Sequence, residues 1–129
     1  MVLDEPIVDI PSLTSAARAG AMEAVNIKLG RVGGLTPARI MRDIATRLGL
    51  RVTIEDAWGG DLTTAAVSHL AASTEPDAIL TVSFMNDWTL DHVCGYSPRS
   101  RNGRGAAPDG PGLGVAVDQG ELGAPLLQV

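Results

Sequence analysis

Large aromatic side chains are scarce in this 129-residue chain: Phe, Trp and Tyr together make up 3% of it. That scarcity argues against an aromatic-rich β-sandwich. Cysteine is nearly absent too. Cys94 stands alone, so no internal disulfide can form, and a reducing compartment is the simpler reading. Basic residues are outnumbered, ten Lys and Arg against fifteen Asp and Glu, for a net charge of −5. Nucleic acid or an anionic membrane surface therefore has no electrostatic support as a partner. No apolar run approaches the roughly 20 residues that cross a bilayer, and no basic stretch leads into an apolar one as in a signal peptide. The expectation is a soluble, cytoplasmic protein. At 45% hydrophobic and 19% charged residues, the chain has the composition of one ordinary globular domain.

Short aliphatic runs recur along the chain, each ending at a polar or charged residue. They are Val2-Leu3 before Asp4, Ala24–Ile27 before Lys28, Val52–Ile54 before Glu55-Asp56, and Ala78–Val82 before Ser83. The intervals from Asp4 to Lys28, to Asp56 and to Ser83 are 24, 28 and 27 positions. Such runs read as buried parallel strands.

Helical patterns fill the gaps. The clearest has Thr36 as expected N-cap, Pro37 at the first helical position, an apolar stripe of Ile40, Ile44 and Leu48 with Met41 and Ala45 beside it, and Gly49 as terminator. A second is expected to open with Asp61 as N-cap and to carry Leu62, Ala66 and Leu70. A weaker one runs from about Ser12 to Ala19 and stops at Gly20, after a turn at Pro11.

The resulting β-α-β-α-β-α-β order, with right-handed crossovers, places all strand C-termini on one edge. An open doubly wound sheet and part of a (β/α)₈ barrel both satisfy it. The unit length near 25 residues and the polar strand ends favour the barrel, of which four strands are half. The expected fold is thus α/β, a partial barrel over residues 1–94. From Gly95 to Val129, eight glycines and four prolines in 35 positions exclude regular structure. The apolar end of this segment (Leu122, Leu126, Leu127, Val129) suggests that it covers a surface supplied by something else.

On the barrel reading, Asp4, Lys28 and Asp56 face one mouth. Two carboxylates and an amine suit metal-assisted proton abstraction, in which a lysine made less basic by nearby cations takes an α-proton. They also suit plain solvated loop starts. Gly33-Gly34 and Gly59-Gly60 fit an anion-holding helix start or a simple tight turn. Trp58 would cover a substrate or pack its loop. His69 reads as a packed helix residue, and His92 with Cys94 lacks the second ligand pair of a structural zinc site.

Taken together, Leu3-Asp4-Glu5, the stretch Val25–Thr36 with Lys28 and Gly33-Gly34, and Ile54-Glu55-Asp56-Ala57-Trp58-Gly59-Gly60-Asp61 resemble the C-terminal part of the enolase superfamily. The mandelate racemase/muconate lactonizing enzyme group is the best match. Within it, the Trp-Gly-Gly-Asp run, Asn102-Gly103-Arg104 and Gly110–Gly114 look like the cis-3-hydroxy-L-proline dehydratase and hydroxyproline-betaine epimerase branch.

The resemblance implies the last four strands of a (β/α)₇β barrel and a Mg²⁺ cofactor held in part by Asp4. Lys28 would act on the substrate α-carbon, and Glu5 and Asn26 would orient the site. Asp56 and Trp58 would contact an amino-acid-like carboxylate substrate near its nitrogen. It implies dehydration of a 3-hydroxyproline-like acid, with epimerisation of a proline betaine or similar amino acid as the alternative.

The resemblance covers nearly all of this chain but only the last third or so of a family member. The capping domain, four strands, a second lysine and two metal carboxylates have no counterpart. The sequence therefore reads as part of a larger enzyme, as half of one completed by another chain or by a second copy, or as an inactive remnant whose open strand edges associate with a partner.

Overall fold

A computed structural model describes residues 1–127. Four parallel strands lie side by side in sequence order: β1 (Val2–Leu3), β2 (Ala24–Lys28), β3 (Arg51–Glu55) and β4 (Ile79–Val82). They alternate with α1 (Ile10–Arg18), α3 (Leu35–Arg47) and α4 (Asp61–Ala72). A single helical turn, α2 (Leu29–Val32), directly follows β2. Consecutive parallel strands in the order 1-2-3-4, joined by crossovers of one hand, put every helix on the same face.

Burial agrees with that arrangement. Val25, Ile27, Val52 and Ile54 are fully buried and join Leu13, Met41 and Val67 in one core between sheet and helices. A doubly wound sheet would have needed a second core on the other face. That other face carries Asn26, Lys28, Thr53 and Glu55 instead, the alternate residues of the same strands.

Helix boundaries depart from the sequence expectations, each for a local reason. α1 begins at Ile10, with Pro11 inside its first turn, where the missing N–H costs nothing. Asp9 is its cap: its carboxylate accepts from the Ser12 N–H at 2.8 Å while the Asp9 N–H donates to Ser12 Oγ at 3.1 Å. α3 starts at Leu35, not after Thr36. Gly33 and Gly34, at φ +95° and +106°, make the reversal out of α2, and Gly34 takes the cap position. Asp61 is the first residue of α4 rather than its N-cap, and it makes no hydrogen bond to that helix's own N–H groups. Gly49 does terminate α3, at φ +76°.

The expected stripe on α3 is rotated. Ala38, Met41, Arg42 and Ala45 face the core, while Ile40 is 39% and Leu48 is 52% exposed. Arg42 is buried because its guanidinium ties α3 to the end of α4, donating to the Ser73 carbonyl at 2.9 Å and to Thr74 Oγ1 at 2.5 Å. On α4, Leu62 is likewise exposed, and Thr64 and Ser68 occupy the buried face.

Beyond β4, a 3₁₀ turn (Met85–Trp88) leads into the Gly/Pro-rich segment, which touches its own chain at several points. The Asp118 N–H donates to the Val93 carbonyl at 2.8 Å. The Phe84 ring lies so close to Gly105 that a Cβ there would sit 2.1 Å from it. Leu126 and Leu127 are exposed, and Val129 lies outside the described residues.

Candidate active site at the strand C-termini

Strand register builds the site. Lys28 pairs with Glu55, and Asn26 with Thr53, across β2 and β3. Because side chains alternate, Asn26 and Lys28 share a face with Thr53 and Glu55, away from the helices. Leu3 pairs with Val25, which brings Asp4, the next residue, to the level of Asn26. On the other side Ile54 pairs with Val82, which brings Ser83 to the level of Glu55. All these groups meet at the C-terminal edge of the sheet.

Lys28 is the hub. Its Nζ lies 2.9 Å from Asp4 Oδ2, 3.4 Å from Glu55 Oε1 and 3.7 Å from Glu5 Oε1, with its side chain only 13% exposed. Arg31, within the single turn of α2, donates from Nη1 to Asp4 Oδ1 at 2.6 Å. Asp4 thus has a cation on each oxygen. Glu55 is held from both sides, by a short hydrogen bond from Asn26 Nδ2 and by Ser83 Oγ at 2.9 Å. Thr53 Oγ1 donates to Asn26 Oδ1 at 2.6 Å, which fixes the amide with its N–H₂ toward Glu55.

Arg31 and Glu55 were not singled out from the sequence. A signal existed for Glu55, which shares strand parity with Thr53. Arg31, three residues after Lys28, reaches the cluster only because the chain coils into α2 directly after β2.

Within this chain, the hydrogen bond from Lys28 to Asp4 raises the lysine pKa above its ordinary value, burial opposes this, and Glu55 adds to the rise. For Asp4, burial pushes the carboxyl up, but hydrogen bonds from Lys28, Arg31 and Asn26 outweigh it and hold it below the usual aspartate range. Nearby carboxylates, not cations, dominate the surroundings of the amine.

The two shifts bracket a pH window. Asp4 contributes stability above the ordinary aspartate range and loses it as pH falls through its folded pKa. Lys28 contributes below the ordinary lysine range and loses it as pH rises through its folded pKa. In metal-free buffer, Asp4→Asn should shift the Lys28 titration to lower pH and remove about 1–3 kcal/mol of stability near neutrality. Lys28 is the only lysine of the chain, so NMR of a lysine-labelled sample reads it without overlap. An unchanged Lys28 titration would contradict the geometry.

The remaining expected residues lie on the same rim in other roles. Asp56 accepts from the Gly30 N–H at 3.1 Å and so anchors the start of α2 rather than joining the Lys28 cluster. Trp58 is 71% exposed, with its ring centroid 6.4 Å from that of Trp88. His69 Nε2 lies 3.1 Å from the Leu113 carbonyl, and His92 contacts Asp61. Among the described residues, no three His, Cys, Asp or Glu side chains are grouped to hold a metal ion. The donor set agrees. Asp4 offers hard oxygens, but both already face cations, and one carboxylate falls short of the several fixed oxygens Mg²⁺ needs. The residues of this chain alone do not make a magnesium site.

Comparison with known proteins matches this geometry to one family. A family described as "Enolase C-terminal domain-like" matches residues 1–121. The chain is 39% identical over 125 residues to a cis-3-hydroxy-L-proline dehydratase of Roseibium aggregatum, covering 97% of this chain and 34% of that protein. It is 34% identical to an N-succinylamino acid racemase of Amycolatopsis sp, over 88% of this chain and 31% of that protein. A crystal structure of an enolase superfamily member from Roseovarius nubinhibens ISM, complexed with magnesium, superposes with a TM-score of 0.93 at 38% identity, over 98% of this chain and 35% of that one. The chain spans about a third of the length of the relatives it matches.

Proposed function

The chain belongs to the enolase superfamily, in its mandelate racemase/muconate lactonizing enzyme group, and from that membership we propose that it supplies the proton-handling side of a site acting at the α-carbon of a carboxylate substrate. The observation that carries this reading is the Lys28 amine held 2.9 Å from Asp4 at the strand C-termini, the edge where (β/α) barrels carry their chemistry.

Lys28 Nζ is the group that exchanges a proton with the substrate α-carbon. Asp4 and Glu55 set its charge, and Asn26 and Ser83 hold Glu55 in place. Asp4 would be one ligand of the Mg²⁺ expected for this family, with the further oxygen ligands supplied by polypeptide outside this chain. That polypeptide also completes the barrel. Beside β4 lies an open groove of about 770 Å³, lined in part by Leu80, Phe84, Trp88 and Arg104. The far edge of β1 is free as well, as the end strand of a four-stranded sheet.

The preferred reaction is loss of water from a cis-3-hydroxy-L-proline-like acid, supported by the 39% identity to a dehydratase. Epimerisation or racemisation of an amino-acid derivative is the second reading, supported by the likeness to a racemase. The two share proton removal and differ in the next step, loss of hydroxide or return of a proton. Grafting residues 1–121 onto the first two-thirds of the Roseibium aggregatum dehydratase tests the choice. With cis-3-hydroxy-L-proline and Mg²⁺, the dehydratase reading predicts a dehydrated product. Inversion at the α-carbon without water loss would favour the second reading, and neither reaction would contradict both.

A further inference from the structure

We propose that Asp61 is a positioning residue that, through Asn86, sets the placement of Trp58 and Trp88 and so shapes the aromatic wall of the rim; its role toward a substrate rests on the functional reading above. As the first residue of α4, Asp61 would ordinarily turn its carboxylate toward that helix's free N–H groups. It turns away from them. The side chain is fully buried and takes three donors from elsewhere: Asn86 Nδ2 at 2.8 Å, the Cys94 N–H at 2.8 Å and His92 Nδ1 at 3.2 Å. Burial raises its pKa, but these hydrogen bonds more than offset that and keep it ionised.

Asn86 is fully buried as well. Its amide N–H₂ serves both Asp61 and the Pro98 carbonyl, the latter at 2.5 Å. Its Oδ1 has no partner among the described residues. Turning the amide over would set that oxygen against a carboxylate and a carbonyl, so the orientation is fixed by its two acceptors. A buried amide that leaves its own oxygen unsatisfied in order to keep these contacts is a strong tether between two turns.

Those turns carry the tryptophans. Trp58 lies three residues before Asp61. Between them, Gly59 is packed so closely that a Cβ would sit 2.4 Å from Thr63 Cβ. Trp88 lies two residues after Asn86, in the same 3₁₀ turn. Both indoles are more than 70% exposed, so no core packing fixes them. Their spacing of 6.4 Å, with planes tilted by 57°, comes from the backbone beneath, which the Asp61–Asn86 bond joins. The same carboxylate draws in the chain at Cys94, so one buried charge ties together three loops of the rim.

Trp58 and Trp88 are the only tryptophans, so their exciton couplet in the far-ultraviolet circular dichroism reports on this pair alone. The full chain is expected to show the couplet, and Trp58→Phe or Trp88→Phe to abolish it. Asp61→Asn should keep the helical signal and cooperative unfolding while losing most of the couplet. Asn86→Ala should do the same, and it decides the matter if Asp61→Asn does not fold. Ser68→Ala, on the buried face of the same helix, should leave the couplet intact.

A wild-type couplet in folded Asp61→Asn or Asn86→Ala, whatever their stability, would overturn the proposal, as would a couplet that survives loss of either tryptophan. In the grafted enzyme, Asp61→Asn should raise KM several-fold with kcat nearly unchanged. Loss of kcat alone would argue against a wall-shaping role. The couplet needs no turnover, so an inactive graft whose couplet still depends on Asp61 would count against the functional reading and not against this one.

Discussion

Lys28→Ala in the grafted enzyme is expected to slow α-proton exchange by roughly 10²–10⁴-fold, the range for loss of a positioned general acid or base. Lys28→Arg should be as inactive. The guanidinium keeps a positive charge between Asp4 and Glu55 and so preserves the ion pairs, but it does not give up its proton near neutral pH. The comparison separates two roles. If Lys28 served only to neutralise the carboxylates at the rim, arginine would restore most of the rate. If it moves the proton, arginine fails while the protein stays folded. Exchange in deuterated water, followed by NMR of the substrate α-hydrogen, reads both variants in one assay. Rescue by arginine would reduce Lys28 to an electrostatic role.

Met41→Ala should destabilise the chain by about 2–5 kcal/mol, and Ile40→Ala by no more than about 0.5 kcal/mol. The two residues are neighbours on α3 with side chains of similar bulk. Met41 is 1% exposed within the main core, and Ile40 is 39% exposed. Denaturant unfolding at neutral pH measures the difference. Equal losses would mean that α3 presents a different face to the sheet.

That pair also shows where sequence reasoning stopped. Ile40, Ile44 and Leu48 form a regular four-residue repeat with Met41 and Ala45 beside it. Met41 and Ala45 are buried and Ile44 packs partly buried against the core, whereas Ile40 and Leu48 are exposed and Ala38 and Arg42 fill the remaining core positions. Alanine allows the helix to approach the sheet closely. Arg42 can be buried because it finds acceptors on the end of α4, which no local pattern announces.

The strands were legible because parallel strands buried against helices leave plain aliphatic runs. Asp4 and Lys28 were legible because each ends such a run, and the structure brings them into contact. Glu55 was passed over because Asp56 was taken as the residue ending the strand; the strand ends at Glu55, which, counted in steps of two from Thr53, lies opposite Lys28. Arg31 required knowing that α2 coils at once after β2. Asp61 looked like an ordinary helix cap, and its partners, Asn86, His92 and Cys94, come from turns beyond β4 that have no periodic signal.

The central claim is that this chain's lysine and carboxylates form a working rim once the rest of a barrel is present. Hydrogen–deuterium exchange at the α-carbon of cis-3-hydroxy-L-proline, with Mg²⁺, should be measured for the chain alone, for the first two-thirds of the Roseibium aggregatum dehydratase alone, and for the two combined. We expect exchange only in the combination. Exchange by the isolated chain would contradict the claim that its residues are insufficient, and a folded combination that exchanges nothing would contradict the claim that they supply the proton-handling side.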